Sequence, residues 1–310
     1  MSKYITLVTS LCMSLIASAG YPSTTKSLND NTSPFDVFID SGNIVKDTSQ
    51  APYSSVVKIT YNGQLCTGTL IRYNEVLTSG DCVQDESGKK IAPAMYTITS
   101  SDGETSWHVK EIKTAYSHDP ASDFALLKTD NTNKNTPSVP LASKEITQQW
   151  LLTNYPSLLT VGYGIDLARP DKNYKADLQQ GVVKPTSQLN AQHTVRDGLA
   201  WFKSKGFIVT GTYGDGKGMF STCSNQAINY GDTGGPVFYK NPRDNTYYLI
   251  GTTGAGLTFP NPDAKGEYLS YNRCIDHENV DQEGQKLSIF TDLTHGSANY
   301  YKLKDLEGQI

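Results

Sequence analysis

Residues 229–238 read NYGDTGGPVF. Gly231, Gly234 and Gly235 surround Asp232 and Thr233, and Pro236 opens the apolar run that follows. Glycine supplies backbone conformations that a Cβ forbids, so the stretch reads as a tight turn feeding a strand. Two other segments have the same make-up, with a polar residue at the junction of a turn and an apolar run. CTGTLIRYNEVLTSGDC (66–82) carries a cysteine, a small-residue turn, two short strands and then Ser-Gly-Asp81-Cys82. SDFALLK (122–128) sets Asp123 at the head of an apolar strand.

The rest of the chain has a matching texture. SSVVKITYNG, YTITS, LLTVGYG, GFIVTGTYG, YYLIGTTGAG and LSIFTDL are short apolar or alternating runs broken by turn residues. Strands this short and evenly punctuated predict an all-β barrel or sandwich rather than βαβ units. A helix is predicted only near the end, in SANYYKLKDLE, and NTNKNTPSVPLAS (131–143) reads as a connection between domains. The 310 residues suffice for one large or two small domains. A net charge of −4 and the lack of any Lys/Arg run speak against nucleic-acid binding.

Lys3, the apolar run Ile5–Ile16 and Ala17-Ser18-Ala19 have the layout of a secretory signal spanning residues 1–19. The run is shorter than the roughly 20 apolar residues that span a bilayer. A lipoprotein anchor at Cys12 is the competing reading, and bulky Leu11 stands against it. Residues 20–43 are polar and without apolar period, as in a leader or pro-segment. The mature chain is thus expected to be secreted, extracellular or periplasmic, with no membrane association after signal cleavage. Export leaves Cys66, Cys82, Cys223 and Cys274, which predicts two disulfides among three possible pairings. No two cysteines stand two to four residues apart as in zinc sites, so neither metal nor cofactor is expected.

Taken together, the three segments resemble the trypsin/chymotrypsin-like serine peptidases. That family carries Cys-Gly-Gly-Ser-Leu-Ile, Thr-Ala-Ala-His-Cys, Asp-Ile-Ala-Leu-Leu and Gly-Asp-Ser-Gly-Gly-Pro in this order. Ile44-Val45, Val161-Gly-Tyr-Gly164, Gly251-Thr-Thr-Gly-Ala-Gly256 and Phe290-Thr-Asp-Leu293 extend the likeness over about residues 44–307. The resemblance implies two packed six-stranded antiparallel β-barrels with a short C-terminal helix. It sets the N-terminal barrel at about 44–140, the C-terminal barrel at about 155–295 and the helix at about 297–307, within a domain running 44–310. It implies the pairs Cys66–Cys82 and Cys223–Cys274. It also implies triad positions at Asp81, Asp123 and Thr233, an oxyanion-type backbone at Gly231 and Thr233, and a substrate-groove strand at Gly254, Ala255 and Gly256.

At these positions the chain departs from the family. A triad needs a nucleophile, a base able to carry its proton near neutral pH, and an acid that orients the base. Imidazole, with a pKa of about 6.5, fills the middle role, whereas aspartate titrates near 3.9 and is a poor acceptor for a hydroxyl proton. Asp81 stands where the histidine belongs, and Thr233 where the serine belongs. Threonine acts as nucleophile where an amino-terminal amine serves as base, and Thr233 is internal. His118 falls in a stretch that lines the family's groove rather than at its base site. Asp232 matches the family's buried aspartate that meets a freed amino terminus, yet Asn43 precedes Ile44, and Lys46-Asp47 replace two glycines. Gly254, Ala255 and Gly256 remove an aromatic wall of the groove, and the stretches Cys223–Gly231 and Gly256–Cys274 are longer than usual. The expected function is therefore a secreted, proteolytically inactive homologue that binds a protein or peptide. The alternatives are a hydrolase using Thr233 with an unconventional base, and a structural component of an extracellular assembly.

Overall fold

A computed structural model of the chain describes residues 43–85, 89–114, 123–152, 156–164, 177–183, 219–224, 231–253, 259–260, 268–269 and 286–308. The signal and leader readings, His118, Cys274 and the segment Gly254–Gly256 lie outside these residues.

After a two-residue strand β1 (Asn43–Ile44), the chain builds β2 (Val56–Tyr61), β3 (Gln64–Arg72), β4 (Glu75–Thr78), β5 (Thr97–Thr99), β6 (Ser106–Thr114) and β7 (Ala125–Thr129). These six strands close into an antiparallel barrel in the order β2-β3-β4-β7-β6-β5. Local sequence accounts for much of it. Asn62 and Gly63 both adopt positive φ, at 44° and 78°, so Tyr61 and Gln64 pair across the two-residue turn favoured between twisted strands. Along β6, Trp107 and Val109 face inward while His108 and Lys110 face out, the two-residue period of a half-buried strand. Val57, Ile59, Leu70, Val76, Ile98, Trp107 and Leu127 fill the interior.

Helix α1 (Lys144–Leu152) leads to β8 (Leu158–Gly162), β9 (Gln179–Val183), β10 (Met219–Ser224), β11 (Pro236–Lys240) and β12 (Tyr247–Thr253). A small ribbon of β13 (Phe259–Pro260) and β14 (Tyr268–Leu269) precedes β15 (Lys286–Asp292) and the C-terminal helix α2 (Ala298–Glu307). The second sheet has seven strands, in the order β1-β9-β8-β11-β12-β15-β10. β1 joins it as an added edge, and β10 lies back against β9. The expected all-β fold with a C-terminal helix is present, with the first layer the closed six-stranded barrel; the second, expected as another six-stranded barrel, is a seven-stranded sheet with β1 as an extra edge strand. Helix α1 is a correction to the sequence reading, which reserved helix for the C-terminus. The signal was present in Ser143, whose Oγ accepts from the Ile146 N–H at 3.3 Å, and in Ile146 and Trp150, which recur one turn apart and pack into the core of the second sheet.

The two halves share a core, since Val56, Leu77, Phe124 and Leu126 of the barrel pack with Val161, Tyr163, Phe238, Leu249, Leu293 and Leu303. The connection 131–143 stitches along this seam: the Val139 N–H donates to Leu70 O, and Leu249 N–H donates to Pro140 O, both at 2.9 Å. Helix α2 closes the far side. Ser297 Oγ caps it by accepting from Tyr300 N–H at 3.1 Å, and Gly308 ends it in the left-handed conformation. Glu307 in its last turn is buried at the unfavourable end of the helix dipole, and cations offset this. Lys304 Nζ lies 2.8 Å and Arg72 Nη2 of the barrel 3.7 Å from Glu307 Oε2, while Lys113 Nζ donates to Leu306 O at 2.9 Å. Arg72 continues to Glu75 at 3.3 Å, and Glu75 to Lys128 at 3.9 Å.

Removing the buried carboxylate strands these partly exposed cations. Glu307→Ala is expected to cost about 1–2 kcal/mol, lowering Tm by a few degrees in thermal unfolding. The exposed Glu111, 4.0 Å from Lys128, provides the control, and Glu111→Ala should change stability by less than about 0.5 kcal/mol.

Candidate active site

The site lies where the barrel meets the second sheet. β4 ends at Thr78, and Ser79-Gly80 lead into a single 3-10 turn at Asp81–Val83. The Cys66–Cys82 disulfide pins that turn to β3, realising one of the pairs implied by the sequence. Cys223 lies in β10, and its implied partner Cys274 is outside the described residues.

Asp123 precedes β7 and is buried, with 4% of its surface exposed. Its Oδ2 accepts from Ser79 Oγ at 2.7 Å and its Oδ1 from the Asp81 N–H at 3.1 Å, and the Gly80 N–H adds a further bond. Ser79 Oγ in turn accepts from the Asp81 N–H at 3.1 Å. The segment Ser79–Asp81 thus wraps the Asp123 carboxylate with donors and carries a second, half-buried carboxylate on Asp81 beside it. Burial, followed by the charge of Asp81, pushes the Asp123 carboxyl up to about 7 against the opposing pull of these hydrogen bonds. Of the described histidines, His108 lies past the Thr129 end of β7, opposite to Asp123, and His295 packs its ring 4.8 Å from that of Tyr300. Neither supplies an imidazole beside Asp123. Ser79 was not singled out by the sequence reading, although its place two residues before Asp81 was the available signal.

The turn Gly231–Gly235 approaches from the second sheet. Thr67 N–H donates to Thr233 O at 3.0 Å, and Cys82 Sγ lies 3.5 Å from the same carbonyl, so the Thr233 and Asp81 segments meet. Gly234 has a φ of +83°, and a Cβ there would fall 2.0 Å from Thr78 Oγ1 and 2.5 Å from Thr67 O. Its glycine is required by both conformation and space. Asp232 is buried with 1% exposure, and its Oδ1 accepts from the Gly164 N–H at 2.9 Å. A Cβ on Gly162 would come within 2.1 Å of that oxygen, which explains the glycines in Val161-Gly-Tyr-Gly164. No acceptor among the described residues meets the N–H of Gly231 or of Thr233. Ile44, expected near an activated amino terminus, sits on edge strand β1 opposite Gln179 with 57% of its surface exposed. Among the described residues no cluster of three or more His, Cys, Asp or Glu is arranged to hold a metal.

A closed antiparallel barrel packed on a second antiparallel sheet, with a buried aspartate and a Gly-Asp-Thr-Gly-Gly turn at their junction, defines the class of two-layer β peptidase folds. Within that class the family model described as Trypsin matches residues 39–280, and the chain belongs to this family. The match begins five residues before Ile44. No curated protein matches the chain.

Two predictions arise here. Gly234→Ala should destabilise the protein by roughly 3 kcal/mol or more in urea unfolding, since strain and clash act together. For Asp123, a folded pKa above the unfolded 3.8 contributes stability that is complete at acid pH and is lost as pH rises through about 7. Asp81→Asn removes one cause of the shift while keeping the backbone N–H, so it should raise Tm more at pH 8 than at pH 4.5. Equal shifts at the two pH values would show that the two carboxylates do not interact.

Proposed function

We propose that this trypsin-family protein is exported, is proteolytically inactive and acts by binding a protein or peptide in its cleft. One observation carries the reading: the residue beside the buried acid Asp123 is Asp81, so the acid faces a second carboxylate where an imidazole would bridge to the hydroxyl. The carboxyl whose pKa is raised is that of Asp123, and its oxygens are already engaged by Ser79 Oγ and the Asp81 N–H. It has no imidazole relay among the described residues through which to take the Thr233 proton and return it. The methyl of Thr233 further stiffens χ1 and crowds an incoming carbonyl. The Cys66–Cys82 disulfide supports an oxidising destination, in line with the signal-like N-terminus. No helix among the described residues is long and apolar enough to cross a membrane.

The binding half of the proposal rests on what survives. In the Gly231–Gly235 turn the N–H groups of Gly231 and Thr233 meet no acceptor among the described residues, which suits them to a peptide carbonyl, and polar backbone of this kind gives affinity without a working nucleophile. The half-buried Thr233 hydroxyl is the feature that favours residual hydrolysis instead. The mature protein treated with a fluorophosphonate probe and a mixed peptide library is expected to show neither labelling nor cleavage. Labelling at Thr233 that is lost in Thr233→Ala would overturn the inactive reading. Activity appearing in Asp81→His/Thr233→Ser would identify the two replacements as the cause of silence. A pull-down that finds no ligand for the cleft would favour a structural role.

A further inference from the structure

Three consecutive carbonyls of the turn are held, and Thr67 holds two of them. Thr67 Oγ1 donates to Gly231 O at 2.9 Å, and Thr67 N–H donates to Thr233 O at 3.0 Å. Between them, Asp232 O accepts from the Gly235 N–H at 2.8 Å. The Thr67 hydroxyl has a single proton, and its direction is set from behind, because the Tyr163 N–H donates to Oγ1 at 3.0 Å. Thr67 itself is fully buried, and its carbonyl accepts from Thr78 Oγ1 at 2.8 Å. The clamp therefore links β3, the turn and the end of β8 through one side chain.

A held carbonyl fixes its whole peptide plane, so the two carbonyls held by Thr67 fix the planes that carry the Asp232 and Gly234 N–H groups. These flank the Asp232–Thr233 peptide, whose carbonyl is held by the Gly235 N–H and whose N–H is that of Thr233. Without the Thr67 hydroxyl, Gly231 O would be a buried acceptor lacking its donor, and glycine at φ +91° leaves the adjoining peptide free to turn in search of one. The family motif has glycine where this chain has Thr67, so the contact is a property of this sequence and not of the fold. We propose that Thr67 is the positioning residue of the turn: its hydroxyl, oriented by the Tyr163 amide, locks Gly231–Gly235 in the arrangement that aims the N–H of Thr233, which meets no acceptor among the described residues, toward a ligand carbonyl or carboxylate. The clamp acts whether Thr233 is silent or reactive, so its test does not depend on activity.

The test is amide hydrogen exchange by NMR on the full mature chain, comparing wild type with Thr67→Val, Thr67→Ala and Thr67→Ser. In the Val variant the amides of Tyr163 and Gly235 should exchange about ten-fold faster, the size set by loss of one buried hydrogen bond. The amide resonances of Gly231 and Thr233 should move as well. Ile59 and Leu127, inside the barrel, should exchange as in wild type. Thr67→Ala, which removes the hydroxyl with less bulk, has to give the same pattern, and Thr67→Ser has to restore wild-type exchange and shifts. Unchanged exchange at Tyr163 and Gly235, a uniform rise throughout the barrel, or failure of serine to restore the pattern would each overturn the proposal.

Discussion

The hydroxyl of Thr67 stands between a carbonyl of the Gly231–Gly235 turn and the amide just past β8, both in the second half of the molecule, while its own strand belongs to the first barrel. Around that contact the approach distances leave no slack. Gly234 presses on Thr78 and Thr67, and Gly162 presses on Asp232, so side chains are excluded at both places. The site is thus defined by glycine backbone packed where a Cβ would clash with neighbouring side chains and backbone, and hydroxyl groups of Thr67 and Thr78 satisfy carbonyls buried there.

Within this frame, the residue beside the buried Asp123 is Asp81, a second carboxylate. A buried aspartate such as Asp123 is comfortable when a cation faces it and uncomfortable when another carboxylate does. Ser79 and the N–H groups of Gly80 and Asp81 still converge on Asp123, so its shell of donors is intact. A shell of donors around Asp123 with a second carboxylate beside it is the arrangement that the proposed binding role calls for.

Much of this was legible in the sequence, for identifiable reasons. Short alternating runs such as SSVVKITY and the Asn62-Gly63 turn encode strand period and hairpin geometry locally, and the three polar junction segments fall together at the seam. Helix α1 escaped because its pattern is short: Ile146, Thr147 and Trp150 mark its buried face over barely more than one turn. Ser79 and Thr67 escaped for a different reason. Their roles lie in contacts with partners 44 and 164 residues away, and a small hydroxyl residue gives no periodic signal of such a partner. The added edge strand β1 was equally silent, being two residues of pairing settled by β9.

The seam between the halves has one more consequence. It is crossed by directional bonds as well as by apolar contact: Thr67 to the turn, Thr291 Oγ1 to Asp123 O at 3.2 Å, Val139 N–H to Leu70 O, and Lys113 to the end of helix α2. Greasy surfaces can slide over one another by small steps, whereas hydrogen bonds with fixed partners are either made or broken. No partly slipped arrangement of barrel and sheet would satisfy these groups. The two halves are therefore tied along the seam both at the site, through Thr67 and Thr291, and away from it, through Val139 and Lys113.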